Sequence, residues 1–562
     1  MSKNESNNNF RGIIVSDFNT ENFANLLRNG REYPNIEIIS NNYDQVMQSL
    51  LKNSDSWKVK PDFAVVWTLP NNIINSFQKL ISYESVSIES ILEEVDTFSA
   101  QIANCCEMVE TIFVPTWVLP YYNKNFCLLE MKYGSGISNI LMQMNIRLSK
   151  NINTISNIFV LNTQNWLMAG GSEACNPRLW YSGKIPFGNA VFKEAAKDIK
   201  AGLRAISGQY AKLILLDLDE TLWGGIVGDI GWENIKLGGH DPIGEAFLDF
   251  QYALKYLKNQ GVILGIVSKN EETVALEAIN NHPDMVLTIN DFSGWRINWQ
   301  DKASNIVDLV SELNLGLDSA VFIDDNPVER DRVKQTLPEI FVPDWPENKL
   351  LYKKNLNELR CFNKPPLSDE DRFRTEMYID EKKRNQLKKQ METLDDWLER
   401  LDINIVVEKL KPENHQRTIQ LFNKTNQMNL STRRMGLNEL LKWTNSENHQ
   451  LWTIRVSDIF GDSGLTGILS LDLSQETAKL IDFILSCRVM GRKVEETMLY
   501  IAIKFAKLAG KKDIKADYLS TPKNIPCKNF FLKSGFSHKN NTFFWHLSKE
   551  FIIPQYLKIE FI

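Results

Sequence analysis

"LILLDLDETLWGG", residues 213–225, decides how the chain is read. Four aliphatic residues, Leu213 to Leu216, run unbroken into Asp217 and Asp219, with Thr221 two positions on. A short continuous apolar run marks a strand buried on both faces of a parallel sheet. In such a sheet ligands gather at the carboxyl ends of the strands, where these aspartates fall. A second end of this kind is "AVFIDDNP" (320–327), closed by Asp324 and Asp325. If the two strands are neighbours, four carboxylates converge and repel one another unless a cation lies among them. Hard oxygen ligands favour Mg2+. "VILGIVSKN" (262–270) contributes the hydroxyl of Ser268, and "NWQDKASNI" (298–306) opens a helix with the ammonium of Lys302. Carboxylates, Mg2+, a hydroxyl and an ammonium make a phosphoryl-transfer site, in which cations neutralise non-bridging oxygens while a carboxylate attacks. Aspartates also cap helices and turns; one pair fits that role better than four motifs in order do.

The 562 residues exceed a single core, and the length suggests about three or four domains. Hydrophobic residues at 43% and charged residues at 24% describe an ordinary soluble globular protein. A net charge of -6 gives no electrostatic reason to expect nucleic acid as a partner. The polar start "MSKNESNNNFRG" lacks the apolar core of a signal peptide, and no apolar run is long enough to span a bilayer. The expected location is cytoplasmic, with no membrane partner. Seven scattered cysteines without CxxC spacing argue against a disulfide framework and a zinc site.

Outward from the opening stretch, three blocks appear. Residues 1–205 alternate short apolar runs with helical patterns ("GIIVS", "DFAVVWTL", "TIFVPTWVL", "NIFVLNT"), as a doubly wound α/β domain does. Residues 206–350 repeat the pattern with tighter strands, among them "MVLTIN" (285–290). Residues 351–391, broken by Pro365-Pro366 and highly charged, read as a linker leading into a solvated helix. Residues 392–562 place consecutive strands before the helix "VEETMLYIAIKFAKLAG", an α+β domain with a largely antiparallel sheet. The chain is thus α/β and multidomain.

The order Asp-x-Asp-x-Thr, Ser, Lys, Asp-Asp resembles the haloacid dehalogenase superfamily of phosphatases. That resemblance implies Asp217 as the nucleophile and Asp219 as the general acid and base, with its backbone carbonyl on Mg2+. It implies Thr221 and Ser268 as phosphoryl-holding hydroxyls, Lys302 as the charge-balancing cation, and Asp324 or Asp325 as the remaining metal ligand. Between Thr221 and Ser268 there is room for the hairpin "WGGIVGDIGWENIKLGG" and one helix; between Ser268 and Lys302, for one helix and one strand. Neither gap holds a cap domain, so the site is open, or closed by other domains or by a partner. Glu220, between the two first-motif positions Asp219 and Thr221, adds a further acid beside the expected metal ligands.

"LDLDETLWGGIVGD" (216–229), with "PRLWYSGKIPF" (177–187), "TNQMNLSTRR" (425–434), "FGDSGLTG" (460–467), "SCRVMGRKVE" (486–495) and "STPKN" (520–524), resembles the FkbH-like proteins of polyketide biosynthesis over nearly the whole chain. These are glyceryl transferase/phosphatases. The resemblance implies 1,3-bisphosphoglycerate as substrate and an acyl carrier protein, through its phosphopantetheine arm, as acceptor. It implies an SGNH-hydrolase-like N-terminal domain and an N-acetyltransferase-like (GNAT) C-terminal domain. The chain lacks a GxxxxGK[ST] loop, in keeping with an acyl phosphate that arrives already activated and is displaced by a thiolate. Cys487, followed by Arg488, Arg492 and Lys493 at a helix start, is the candidate thiol, since positive charge and a helix N-terminus favour thiolate. Free cysteines are as commonly small buried hydrophobes, and the carrier's own thiol is an alternative attacker. Arg488 and Gly491 fit an acetyltransferase-type phosphate loop, but Lys493 stands where its last small residue belongs. Asn426, Gln427, Thr432, Arg433 and Arg434 either contact phosphates or substrate hydroxyls, or form a capped surface helix end. Phe18 replaces the SGNH serine and no Asp-x-x-His occurs near residue 180, so docking is a better expectation for that domain than esterase activity. A phosphatase without acyl transfer and a carrier-docking scaffold with a vestigial site are the rivals.

Overall fold

The computed structural model describes residues 9–30, 33–40, 45–120, 128–153, 155, 157–363, 380–381, 383–384, 387–388, 390–554 and 556–562. The Pro365-Pro366 break lies outside them. The chain divides into two compact units, Met1–Gln209 and Tyr210–Ile562.

In the first unit β1 (Asn9–Ser16), β2 (Asn35–Ser40), β3 (Phe63–Trp67), β4 (Thr111–Pro115) and β5 (Ile158–Leu161) form one sheet in the order β2-β1-β3-β4-β5. Every neighbouring pair is parallel, and parallel strands require crossovers, here helical. Successive residues of a strand face opposite layers: Ala64 and Val66 join one core, Phe63, Val65 and Trp67 the other. That is why "FAVVW" reads as uninterrupted apolar sequence. Phe18, just beyond β1, packs edge-on against Trp67 at 5.6 Å and Phe187 at 5.7 Å. Its ring is buried in the second of these cores.

In the second unit β6 (Leu213–Leu216), β7 (Ile263–Ser268), β8 (Phe292–Ile297) and β9 (Ala320–Ile323) form a parallel sheet ordered β8-β7-β6-β9. The strand expected at "MVLTIN" lies further on, in "FSGWRI". Thr288 and Asp291 instead form a capping box around the 3₁₀ turn Ile289–Asp291, which uses the backbone groups a strand would need. The expected hairpin after Trp223 reduces to one antiparallel pair, Gly224–Lys236, around short helical turns at Val227–Ile230 and Trp232–Asn234. The long helix Pro242–Asn259 then leads to β7, so no cap stands between Thr221 and Ser268. The core also reaches past residue 350, where the sequence places the domain's edge. Tyr352, Leu356 and Phe362 are buried in it, and the Ala211 N–H bonds to the Cys361 carbonyl at 2.7 Å.

Strands β10 (Asn404–Lys409), β11 (Met428–Asn429), β12 (His449–Asp458), β13 (Gly461–Asp472), β14 (Thr477–Leu485), β15 (Asp513–Asp517), β16 (Ser537–Lys539), β17 (Thr542–His546) and β18 (Lys558–Phe561) form a second sheet of this unit. It is ordered β16-β17-β15-β14-β13-β12-β10-β18, with β11 beside β14. Most pairs are antiparallel; β14–β15 and β10–β18 are parallel. β14 and β15 pair from Thr477 to Leu480; further on, Ile484 and Leu485 pair with β11 instead. Leu519 N–H then bonds the Leu430 carbonyl at 3.1 Å, so residues 428–430 fill the place where the two strands part. The segment before this domain is no solvated helix at its end. Arg384 is buried and donates to both Asp458 carboxylate oxygens at 2.7 and 2.9 Å, and Leu387 and Met391 pack against the core. Among the described residues no helix is long and apolar enough to cross a membrane.

Candidate active site

The register of the central sheet brings the four motifs to one edge. β6 lies between β7 and β9, with Leu216 level with Ile266 and Ile323. Asp217, Ser268 and Asp324 therefore emerge from adjacent strand ends. Lys302, in the first turn of the helix Lys302–Glu312 behind its N-cap Asp301, reaches in from the side. Its ammonium lies 3.0 Å from Asp217 Oδ2 and 2.6 Å from Asp324 Oδ2, and all three side chains are nearly out of water. Burial disfavours the lysine's charge, but Asp217 and Asp324 more than offset this and hold its pKa above the usual value. Burial first, and then Asp217, push Asp324 up to about 7 against the pull of Lys302. The Asn326 N–H donates to Asp324 Oδ1 at 2.8 Å, so both its oxygens are engaged.

Asp217 Oδ1 is different: it is buried and accepts no hydrogen bond among the described residues. A buried carboxylate oxygen left without a hydrogen bond costs about 1–3 kcal/mol. Asp217, Asp324 and Asp325 each offer one carboxylate oxygen, all within 4.8 Å of one another. Three hard oxygens, one of them unpartnered, are the donor set a small divalent cation takes.

The Asp219 side chain stands apart from that trio. Its Oδ1 accepts from Trp223 Nε1 at 2.8 Å and from the Val227 N–H at 3.0 Å, and its Oδ2 from Asn270 Nδ2 at 2.8 Å. Burial raises its pKa although all three donors favour the ionised form. Thr221 is fully buried, and its hydroxyl oxygen accepts the Asp325 N–H at 3.1 Å, joining the ends of β6 and β9. Asn270 and Trp223 were missed as site residues, though both lie within stretches the motifs single out. Lys349 and Arg330 carry no signal in sequence. Arg330 Nη1 clamps the carbonyls of Asp324 and Asp325 at 2.8 and 2.6 Å. Lys349 comes from the 3₁₀ turn Lys349–Leu351, far along the chain, and its ammonium is 3.6 Å from Asp325 Oδ2.

The C-terminal candidates lie on the other sheet of this unit. Cys487 is exposed in the 3₁₀ turn Cys487–Val489, separate from the helix Val494–Leu508 whose start was to activate it. Arg492 is buried against Glu381 and Asp458, and Lys493 pairs with Glu496 at 2.9 Å, so neither charge is directed at the thiol. Gly491, at φ +77, donates its N–H to Glu495 Oε1 at 2.7 Å. The amide that a bound phosphate would use is taken by the chain's own carboxylate. Arg433 binds buried Asp482 at 2.5 Å and Arg434 binds Asn426 at 2.6 Å. Thr432, at φ +50, donates its N–H to Asn429 Oδ1 at 2.8 Å, and Gln427 is exposed. These residues shape the chain around β11.

No protein-family model matches the sequence, and no curated protein matches it. Among solved structures, the chain is similar to the N-terminal part of the protein BF1531 from Bacteroides fragilis, which contains a phosphatase domain complexed with Mg. The identity is 28% over 64% of this chain and 95% of that one, with a TM-score of 0.58. Weaker likenesses cover about a quarter of the chain. The spermidine N-acetyltransferase of Vibrio cholerae, solved with CoA and spermine, is 14% identical over 26% of this chain and 96% of its own, TM-score 0.22. An acetyltransferase of the GNAT family from Staphylococcus aureus is 15% identical over 25% and 99%, TM-score 0.20.

Proposed function

We propose that the central domain is a capless, Mg2+-dependent phosphatase of the haloacid dehalogenase type, and that the chain as a whole is a glyceryl transferase/phosphatase of the FkbH-like kind. The buried, unpartnered Asp217 Oδ1 beside Lys302, Asp324 and Asp325 carries the phosphatase reading. The likeness to BF1531, solved with Mg, supports it. Asp217, Asp324, Asp325 and the Asp219 carbonyl would hold Mg2+, which when bound neutralises charge on the phosphoryl oxygens. Asp217 attacks phosphorus, the ester P–O bond breaks, and the departing alkoxide takes a proton from Asp219. Water then cleaves the aspartyl-phosphate, with the Asp219 carboxylate accepting its proton. Trp223, the Val227 N–H and Asn270 keep that carboxyl in place, and burial raises its proton affinity, as a donor to an alkoxide needs. Ser268, at the end of β7, would orient the phosphoryl group, whereas Thr221, expected to share that task, is fully buried with its hydroxyl on Asp325 and ties the two strand ends together instead.

In this reading 1,3-bisphosphoglycerate serves both halves of the reaction. A thiolate, of Cys487 or of the carrier's pantetheine, attacks the acyl carbon and expels phosphate; the phosphatase removes the other phosphate. The C-terminal domain, GNAT-like with Arg488 and Gly491 at its loop, receives the acyl carrier protein arm. The N-terminal domain, SGNH-like with Phe18 in place of its serine, docks. The second reading, a phosphatase without acyl transfer, is favoured by Glu495, whose carboxylate fills the Gly491 loop.

Incubation with Mg2+, 1,3-bisphosphoglycerate and a holo carrier protein separates them. Glyceryl-carrier in the mass spectrum is expected; phosphate release without it would leave the second reading. Asp217→Asn should lower phosphoester cleavage by about 10³-fold or more while loading survives.

A further inference from the structure

Glu220 sits in the left-handed region at φ +56, which Gly, Asn and Asp visit readily and a longer side chain such as Glu does not. Something in the site therefore holds it there. Its Oε1 accepts the Gly225 N–H at 2.6 Å, and its Oε2 lies 3.1 Å from Lys349 Nζ. Lys349 Nζ also donates to the Glu220 carbonyl at 2.9 Å and to Tyr352 Oη at 3.0 Å. An ammonium has three N–H groups, and these three contacts occupy them. Asp325 Oδ2, at 3.6 Å, is close to the same ammonium but beyond hydrogen-bond reach. The two lysines of the site thus differ. Lys302 grips Asp217 and Asp324 directly, whereas Lys349 is drawn onto the Glu220 turn and meets Asp325 only at the longer ion-pair distance, with the Thr221 hydroxyl 3.5 Å from Asp325 Oδ1.

We propose that Glu220 is a positioning residue for the metal site: by occupying Lys349 it keeps that ammonium off Asp325, whose carboxylate stays available to a divalent cation. This rests on the metal-dependent phosphatase reading of the same site. Without the Glu220 carboxylate, Lys349 has a vacant N–H and Asp325 is the nearby acid, so a ligand oxygen is lost to an internal ion pair. Removing Lys349 as well removes the competitor, so the two residues act as a matched pair.

The test is Mg2+ binding to the chelated full-length protein by isothermal titration calorimetry, with melting temperature without metal measured alongside. Glu220→Asn suits the left-handed backbone and should fold at least as well as the native chain; Glu220→Gln keeps the side-chain length. Both should weaken Mg2+ binding about tenfold, the scale on which residues supporting a metal ligand act. Adding Lys349→Met to either should restore the affinity to within about twofold of the native chain. A purely structural role would lower the metal-free melting temperature and leave the Mg2+ affinity unmoved. Native-like affinity in both single variants, or no recovery in the double variants, overturns the proposal. If the native chain itself shows no Mg2+ binding that Asp325→Asn weakens, the metal reading fails and this inference falls with it.

Discussion

Asp324 has no exposed side-chain surface, and its proton affinity carries a consequence for stability. Its folded-state pKa is raised from 3.8 to about 7, chiefly by burial. The folded chain then keeps a proton that the unfolded chain has released. This contribution is complete below about pH 4 and is lost as pH rises through about 7. Asp219 and Asp325 are raised in the same direction, also by burial first. Metal-free protein is expected to melt at a lower temperature near pH 7.5 than near pH 5.5, with a smaller difference in Asp324→Asn. Identical pH dependence in circular dichroism melts of the two would show that burial of this carboxyl is not the cause. At this scale the sequence was most legible where chemistry forces close spacing. Asp217, Asp219 and Thr221 stand two residues apart because one strand end must present them all. Lys349 was illegible because its contact with Glu220 spans 129 positions, and no periodicity marks a distant side chain that folds back. Glu220, opaque in sequence, became readable once that lysine was in view.

Among the elements, the turn and helix from Lys349 to Glu358 are tied to the acidic strand edge through Glu220. Tyr352 packs against Phe247, Phe250 and Trp345, with ring centroids between 5.1 and 5.8 Å apart. Its hydroxyl donates to the Glu220 carbonyl at 3.1 Å. Tyr352→Ala should destabilise the central domain by about 3–5 kcal/mol, the cost of deleting a buried aromatic ring. Urea unfolding followed by tryptophan fluorescence checks this, and a loss under about 1 kcal/mol would show that the ring can be replaced by collapse. The strands were legible to the degree that they are buried on both faces: "FAVVW", "LILL" and "AVFI" are unbroken apolar runs for that reason. β11 has two residues and β18 pairs with a strand about 150 positions earlier, so neither leaves a local pattern. "MVLTIN" misled because an apolar run cannot show that a capping box will close it into a turn.

For the whole molecule, the alternation of strand and helix patterns told apart the parallel sheets and the mixed C-terminal sheet. It set the domain edge at residue 350, short of Tyr352, Leu356 and Phe362, because the segment that completes the core is too polar to look like core. The N-terminal unit, Met1–Gln209, owns its five-stranded sheet and the cores on both faces. Residues 1–209 made alone should therefore unfold in one cooperative transition, with a urea slope of about 2–3 kcal/mol/M. A broad, sloping transition would mean that the unit borrows its order from the rest of the chain.

The bond between the Ala211 N–H and the Cys361 carbonyl, with Lys349 and Tyr352 just before it, also sets a timetable. A ribosome adds roughly 5–20 residues each second, so about 144 residues, or roughly 7–30 s, separate the emergence of Asp217 from that of Cys361. Until then the nascent sheet has no clasp along its first strand, and the Glu220 turn lacks Lys349 and Tyr352 to hold it. Any pause in translation within that interval lengthens the time during which β6 is open to pairing with the wrong neighbour.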